Sequence, residues 1–179
     1  MKSLLLALLV MFFGAGCAEI VDSGNRGVKK SLGKVEQLSL PEGFYLYNPL
    51  TSSIIEVEAR ETKWTTETMA YTKDVQQVKL QLTVNWFPKR DSVHTLYQEY
   101  GLKFADVIMP QVVFGKVKEV VGKFEAVELI SKRLSATTEM EVAVREELTR
   151  SNIIVTGFEM QDLNFNDEFE AAVERKVVA

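Results

Sequence analysis

Two hydrophobic periods divide this chain into an early and a late part. In the early part, apolar and polar side chains alternate, most clearly over residues 78–86, where five apolar side chains share one face. Residues 44–47 and 55–59 are shorter segments of the same kind, and turn residues such as Gly33 and Pro41 separate them. A period of two predicts antiparallel strands, each with one buried face.

From Ser92 onward, the apolar residues recur at helical spacing. Val93, Leu96 and Tyr97 predict a short helix. A longer helix follows, and Pro110 is expected to kink or break it because proline removes one backbone hydrogen bond. The apolar stripe predicted for this longer element consists of Val107, Phe114, Val117, Val121 and Phe124.

The last third of the chain predicts a helix, a strand and a terminal helix. Thr138 begins a capping-box pattern, which places a helix start there. The apolar stripe of that helix is Met140, Val144 and Leu148. A strand follows from Ile153, with a bulge expected near Gln161 and Asp162, and an amphipathic helix begins at Asn166. This order predicts an α+β fold: a largely antiparallel N-terminal β-sheet, then helices, a further strand and the entry into a C-terminal helix.

The N-terminus has the pattern of an export segment. One lysine is followed by an uncharged run over residues 4–18, which as a helix would span roughly 22 Å. Cys17 comes directly after Gly-Ala-Gly, an arrangement that resembles the lipobox of bacterial lipoproteins, although the usual leucine three residues before the cysteine is Gly14 here. Residues 1–18 are therefore predicted to attach the chain to a membrane, either through a lipid on Cys17 or as an uncleaved anchor.

Composition limits the chemistry that this chain can perform. The formal net charge is -4, with no basic block, so a nucleic-acid partner is not expected. The single cysteine and single histidine, His94, cannot form a disulfide, a zinc site or a Cys-His pair of recognisable spacing. We therefore expect no enzyme, no catalytic residue, no metal and no cofactor, and we interpret His94 as a surface or half-buried helix residue.

The two tryptophans lead to different expectations. Trp86 belongs to the alternating apolar positions of its strand, which share the face expected to be buried, and is therefore predicted to pack in the core. Trp64 remains open between a core position, a ligand pocket and a membrane contact.

Several motifs follow one another in an order found in a known family. The most specific is Thr-Lys-Asp-Val-Gln-Gln-Val at residues 72–78, which leads into the alternating strand. Further motifs lie at 24–28, 33–35, 41–44, 48–49, 96–101, 117–124, 129–133, 162–165 and 169–176. From about residue 20 to residue 179, the chain resembles the prohibitin branch of the stomatin, prohibitin and flotillin (SPFH, Band 7) domain family.

This resemblance implies a non-enzymatic scaffold. Such a protein would be anchored in a membrane, assemble into a homo-oligomer there, and organise or restrain membrane protein complexes such as membrane-bound AAA proteases. The terminal segment that resembles the entry into the family's coiled coil is predicted to self-associate through Phe169, Ala172, Val173 and Val177. The alternative is a monomeric lipoprotein adaptor or inhibitor that binds a single membrane-protein partner.

The expected organisation has three parts: an anchor at 1–18, a Band 7 domain at 20–165 and the start of a C-terminal helix at 166–179, with the long coiled coil absent. The domain is expected on the exported side, periplasmic or extracytoplasmic. Lys29 and Lys30 occupy positions where relatives carry apolar strand residues, which predicts that their strand lies at a sheet edge.

Overall fold

The computed structural model of this protein describes residues 17–165. Within them the chain forms two compact units, one from residues 17–60 and 88–102 and the other from residues 61–87 and 103–165. The predicted α+β class, with N-terminal antiparallel sheets followed by helices and a further strand, is confirmed. The terminal helix expected from Asn166, together with Phe169, Ala172, Val173 and Val177, lies outside the described residues.

The first unit contains two small antiparallel sheets and one helix. Its elements are β1 (Cys17–Val21), β2 (Asn25–Ser31), β3 (Lys34–Leu40), β4 (Gly43–Tyr47), β5 (Ser52–Glu58) and α1 (Val93–Tyr100). β1 pairs with β4, and the second sheet has the order β3-β2-β5. Its buried residues include Val28, Val57, Val93 and Leu96, so the predicted strand at 55–59 and the predicted short helix are confirmed.

The edge position predicted for Lys29 and Lys30 is wrong, because β2 is the central strand of its sheet. The Lys29 ammonium lies 2.9 Å from a carboxylate oxygen of Glu36 on β3. Both lysines are half-buried, as expected when an aliphatic stem covers the sheet and the charge stays at the surface. The strand thus accommodates two lysines although it is paired on both sides.

The second unit packs one sheet together with helices. Its elements are β6 (Thr62–Tyr71), β7 (Gln77–Pro88), α2 (Phe104–Val121), α3 (Ala126–Ser131), α4 (Arg133–Arg150) and β8 (Ile153–Phe165). The sheet has the order β6-β7-β8. The alternating strand predicted at 78–86 is confirmed as the core of β7: Val78, Leu80, Leu82 and Val84 have no exposed surface. Trp86 is only 7% exposed, and its ring meets that of Phe104 in a T-shaped contact, so its predicted core position is confirmed.

Of the kink or break expected at Pro110, the break is wrong, because α2 continues through this residue, and the kink stays a prediction. Proline removes one backbone bond, and the burial of flanking residues such as Met109 and Val113 offsets that loss. The predicted stripe is correct at Val117 and Val121, whereas Val107 is exposed. The observed buried face consists of Phe104, Ile108, Met109, Val113, Val117, Val120 and Val121.

The helix start predicted at Thr138 is also wrong, because α4 begins at Arg133. Thr138 lies inside the helix and donates its hydroxyl hydrogen to the Leu134 carbonyl, 2.9 Å away. The capping box that the structure contains joins Glu125 and Glu128 at the start of α3. The predicted stripe of α4 is confirmed, since Met140, Val144 and Leu148 are fully buried.

β8 is irregular near its middle, close to the predicted bulge. One guanidinium nitrogen of Arg133 donates to the carbonyl oxygens of both Met160 (3.0 Å) and Gln161 (2.8 Å). Successive carbonyls point in opposite directions along a regular strand, so these two require a local distortion. The position agrees with the bulge predicted near Gln161 and Asp162.

Candidate functional site

Within residues 17–165, no group of three or more His, Cys, Asp or Glu side chains could hold a metal ion. His94 is half-buried on α1, as predicted, and its Nδ1 lies 2.9 Å from the Ser39 hydroxyl. That hydroxyl also accepts a hydrogen bond from the His94 backbone N–H, at 3.0 Å. The pair therefore joins the first turn of α1 to β3, which is a structural role.

The most distinctive surface of the first unit is one face of the β1–β4 ribbon. The register places Ala18 opposite Leu46 and Ile20 opposite Phe44, so these four side chains share one face. Ile20 and Phe44 are each 63% exposed and Leu46 is 72% exposed. We call this set the apolar ribbon face. Isolated exposed apolar residues are ordinary on proteins, but a contiguous group marks an interaction surface.

The opposite face of the ribbon faces the unit. Val21 is buried, and Tyr45 and Tyr47 are half-buried. Loss of water around the Tyr47 phenol, helped by the nearby Glu19 carboxylate, raises the pKa of Tyr47. At the rim, a hydrogen bond from Arg26 lowers the pKa of Glu42 and keeps that carboxylate charged. The two faces of the ribbon thus differ sharply in character.

Two exposed leucines lie at adjacent turns of the same unit. Leu32, in the β2–β3 turn, is 84% exposed, and Leu50, in the β4–β5 turn, is 70% exposed. The Leu32 backbone N–H donates to the Thr51 carbonyl, 2.7 Å away, which joins the two turns. Leu32 has φ 50°, in the left-handed region that disfavours a leucine. We call Leu32 and Leu50 the paired turn leucines.

Cys17, the predicted lipid attachment residue, is the first residue of β1 and is exposed. It lies opposite Tyr47, at the end of the ribbon where the predicted anchor segment enters. That segment, residues 1–18, overlaps β1 at Cys17 and Ala18. None of helices α1–α4 combines the length and the apolar composition that crossing a membrane requires.

The motif at residues 72–78 forms a turn that is tied to α3. The Thr72 hydroxyl donates to a carboxylate oxygen of Asp74 (2.6 Å), which also accepts the Ala126 backbone N–H (3.0 Å). The Lys73 N–H donates to the Phe124 carbonyl, at 2.8 Å. The Thr72 hydrogen bond, assisted by that from Ala126, holds the pKa of Asp74 below its ordinary value. This motif therefore positions the β6–β7 turn against a helix start.

These motifs and this fold are those of a known family. A family model described as "SPFH domain / Band 7 family" matches residues 19–179. The chain belongs to the SPFH/Band 7 family. This confirms the resemblance that the ordered motifs indicated.

Relatives of this SPFH/Band 7 chain carry the name prohibitin. It is 29% identical to Prohibitin-2 of Schizosaccharomyces pombe over 160 residues, which cover 89% of this chain and 56% of that protein. It is 30% identical to "Mitochondrial prohibitin complex protein 1" of Caenorhabditis elegans, over 89% of this chain and 58% of the relative. Prohibitin-2 of Gallus gallus is 32% identical, over 89% of this chain and 54% of its own length. The chain thus spans just over half the length of these relatives.

Sequence reasoning missed both apolar surfaces of the first unit. The run Phe44-Tyr45-Leu46-Tyr47 is apolar on both faces, so its pattern could not tell which face is exposed. β1 was hidden because Cys17 and Ala18 continue the apolar N-terminal run. For the paired turn leucines alone the sequence offers a signal, which is a leucine directly before Gly33 in a turn, where a polar residue is usual.

Proposed function

We propose that this chain is a prohibitin-like scaffold that works at a membrane surface. Residues 1–18 attach it, the apolar ribbon face and the paired turn leucines contact the same bilayer, and copies of the chain assemble there. In that state the scaffold organises or restrains membrane protein complexes, a membrane-bound AAA protease being the partner class that the family resemblance suggests. The domain lies on the exported side of that membrane.

The observation that carries this proposal is the apolar ribbon face. It begins one residue after Cys17, so any anchor formed by the preceding residues delivers this face to the bilayer surface. Its four side chains carry no charge, and on the opposite face the tyrosines and Glu19 turn toward the unit. An apolar face beside an anchor is what contact with a bilayer requires.

The free energy expected from burying the ribbon face in a membrane is that of a contact which supports a separate anchor. Burying a large apolar side chain completely contributes about 1.5–3 kcal/mol. Because Ile20, Phe44 and Leu46 are about two-thirds exposed, each contributes roughly 1–2 kcal/mol on transfer to the membrane interface. One lipid chain alone gives only reversible membrane binding, and a second signal makes the attachment stable. The ribbon face supplies such a second signal.

Quenching by brominated lipid tests the membrane contact. The full chain carrying Leu46→Trp is reconstituted into phosphatidylcholine vesicles with brominated acyl chains, and the wild-type chain gives the background from Trp64 and Trp86. We expect the added tryptophan to be quenched, because it would lie in the acyl-chain boundary. The matched control is Leu134→Trp, on α4, where the leucine is 82% exposed. Equal quenching at the two positions contradicts the proposed contact.

Substitution of Cys17 distinguishes a lipid anchor from an uncleaved helical anchor. If the thiol is acylated, the wild-type chain incorporates a fatty-acid probe and Cys17→Ser does not. An unlabelled wild-type chain that stays with the membrane after a high-salt wash identifies the uncleaved helix instead. A chain that leaves the membrane under that wash contradicts anchoring by residues 1–18 altogether.

Particle size after mild detergent extraction tests the scaffold part. We expect a particle of many copies, with the membrane-bound AAA protease co-purifying if it is the partner. A monomer bound to one membrane protein would instead identify the adaptor or inhibitor alternative.

A further inference from the structure

The β3-β2-β5 sheet has two turns side by side at one of its ends. Leu32 lies in the turn between β2 and β3, directly after Ser31, the last residue of β2. β5 begins at Ser52, which is paired with Ser31. The β4–β5 turn with Leu50 therefore lies beside the β2–β3 turn, and the hydrogen bond between Leu32 and Thr51 joins the two. We call this end of the sheet the turn end.

The chain enters the first unit close to the turn end. Cys17, the first residue of β1, is paired with Tyr47, the last residue of β4. From Tyr47 the chain passes directly into the turn that holds Leu50. An anchor formed by the residues before Cys17 would therefore hold the paired turn leucines near the bilayer surface.

The turn end carries an excess of positive charge. Lys29, Lys30 and Lys34 lie there, whereas residues 48–55 contain no charged side chain and the glutamates of β5 come after them. Glu36 offsets one of these charges by its ion pair with Lys29, at 2.9 Å. Lys30 and Lys34 take part in no ion pair within the described part of the chain. Three lysines and one glutamate leave a charge of +2, although the whole chain has a formal net charge of -4.

The two lysines without an ion pair lie on opposite faces of the hairpin, on either side of its turn. Lys34 is paired with Ser31 and shares its face, whereas Lys30 precedes Ser31 and points to the other face. Each lysine is two residues from Leu32, so its Cα atom lies within about 7 Å of the Leu32 Cα atom. The headgroup layer on each side of a bilayer is roughly 5–8 Å thick. A leucine at the acyl-chain boundary would therefore place both ammonium groups among the lipid phosphates.

We propose that the turn end selects anionic phospholipid, with Lys30 and Lys34 binding lipid phosphates while Leu32 and Leu50 reach the acyl chains. The selection rests on the proposed membrane contact of the paired turn leucines and adds the class of lipid that this contact prefers. In a zwitterionic lipid the headgroup ammonium balances the phosphate, so two lysines gain more from an anionic headgroup. Because the chain as a whole is acidic, an anionic surface attracts this end in particular.

A tryptophan reporter measures the lipid preference at the turn end. The full chain carrying Leu50→Trp is reconstituted into vesicles of phosphatidylcholine and phosphatidylglycerol in equal amounts, with bromine on the acyl chains of one lipid or of the other. The chain without this substitution gives the background from Trp64 and Trp86. We expect brominated phosphatidylglycerol to quench the reporter more strongly, by a preference of about fivefold for each lysine that binds a phosphate.

Charge removal tests whether the lysines cause this preference. In the reporter chain, Lys30→Gln and Lys34→Gln should each lower it about fivefold, and in the double variant the two lipids should quench equally. Lys89→Gln is the matched control and should leave the preference unchanged. Lys89 is an exposed lysine of the same unit that precedes α1, and the first turn of α1 is bound to Ser39, at the other end of β3 from Lys34.

The possible results separate this proposal from the proposed function. A preference for phosphatidylglycerol that is lost in the double variant and kept in Lys89→Gln supports it. Equal quenching of the reporter by both lipids, or a preference that survives the loss of both lysines, overturns the selection of anionic lipid and leaves the membrane contact standing. Quenching by neither lipid contradicts the contact of the turn leucines with the bilayer and overturns the selection with it.

Discussion

In the second unit, β7, α2 and α4 each have one buried apolar face, whereas in the first unit the ribbon and two turns leave large apolar side chains in solvent. Leu80, Leu82 and Leu148 have no exposed surface, while Leu32 and Leu46 are mostly exposed. Each unit nevertheless contains both kinds of leucine, since Leu96 of the first unit is buried and Leu134 of the second is exposed. What distinguishes the first unit is that its exposed apolar side chains lie together on the ribbon face and at two joined turns, the surfaces proposed to contact a membrane.

The largest expected effect comes from breaking the core of the second unit. Leu82→Ala should lower the free energy of unfolding by about 2–5 kcal/mol, because it leaves a cavity in a fully buried strand. Leu46→Ala, on the ribbon face, should change it by less than about 0.5 kcal/mol. Urea denaturation of the two variants measures both values. A similar loss in both would show that the ribbon face belongs to a core.

A second, smaller effect concerns the link between α4 and β8. Arg133→Ala should destabilise the chain by about 1–3 kcal/mol, because two carbonyls lose a charged donor. Hydrogen exchange should rise around Met160. Arg150→Ala removes a solvent-exposed ion pair with Glu147 and should have little effect. Unchanged exchange in β8 after Arg133→Ala would contradict the role given to this arginine.

The Asp74 turn gives a pH-dependent prediction. Since the pKa of Asp74 is lower in the folded chain, its carboxylate stabilises the fold above the unfolded pKa of about 3.9. This contribution is lost as the pH falls through the lower, folded pKa. Asp74→Asn should therefore cost about 1 kcal/mol at pH 7 and progressively less below about pH 4. Denaturation curves at pH 7, 5 and 3 measure it, and a difference that does not depend on pH would contradict it.

The smallest expected effect has the opposite sign. Leu32→Asn should stabilise the chain by roughly 0.5–1 kcal/mol, because asparagine tolerates the left-handed conformation that leucine resists. The same change should weaken contact with phosphatidylcholine vesicles in a flotation assay. Gly33→Ala, at φ 82°, is the control and should destabilise. A loss of stability in Leu32→Asn would indicate that Leu32 packs within the unit and does not serve a contact.

The sequence by itself determined the elements whose burial follows a simple period. β7 and the stripe of α4 could be read directly, because one face of each is completely buried and the pattern records that face. The order of the motifs also determined the family. The pattern could not give the start of α4 or the path through Pro110, because a capping signal of about 1 kcal/mol and a proline penalty of about 3 kcal/mol are both outweighed by the burial of an entire helix face.

Only the tertiary structure decided which strand is central and which apolar side chains stay exposed. β2 is central although it carries two lysines, and Glu36 on its neighbour binds Lys29. Arg133 caps carbonyls 27 and 28 residues away, and Leu32 meets Thr51 across two turns. Such contacts join residues that are distant along the chain, so no local period records them. The surface proposed for membrane contact follows from these long-range contacts, since exposure depends on what the rest of the chain leaves uncovered.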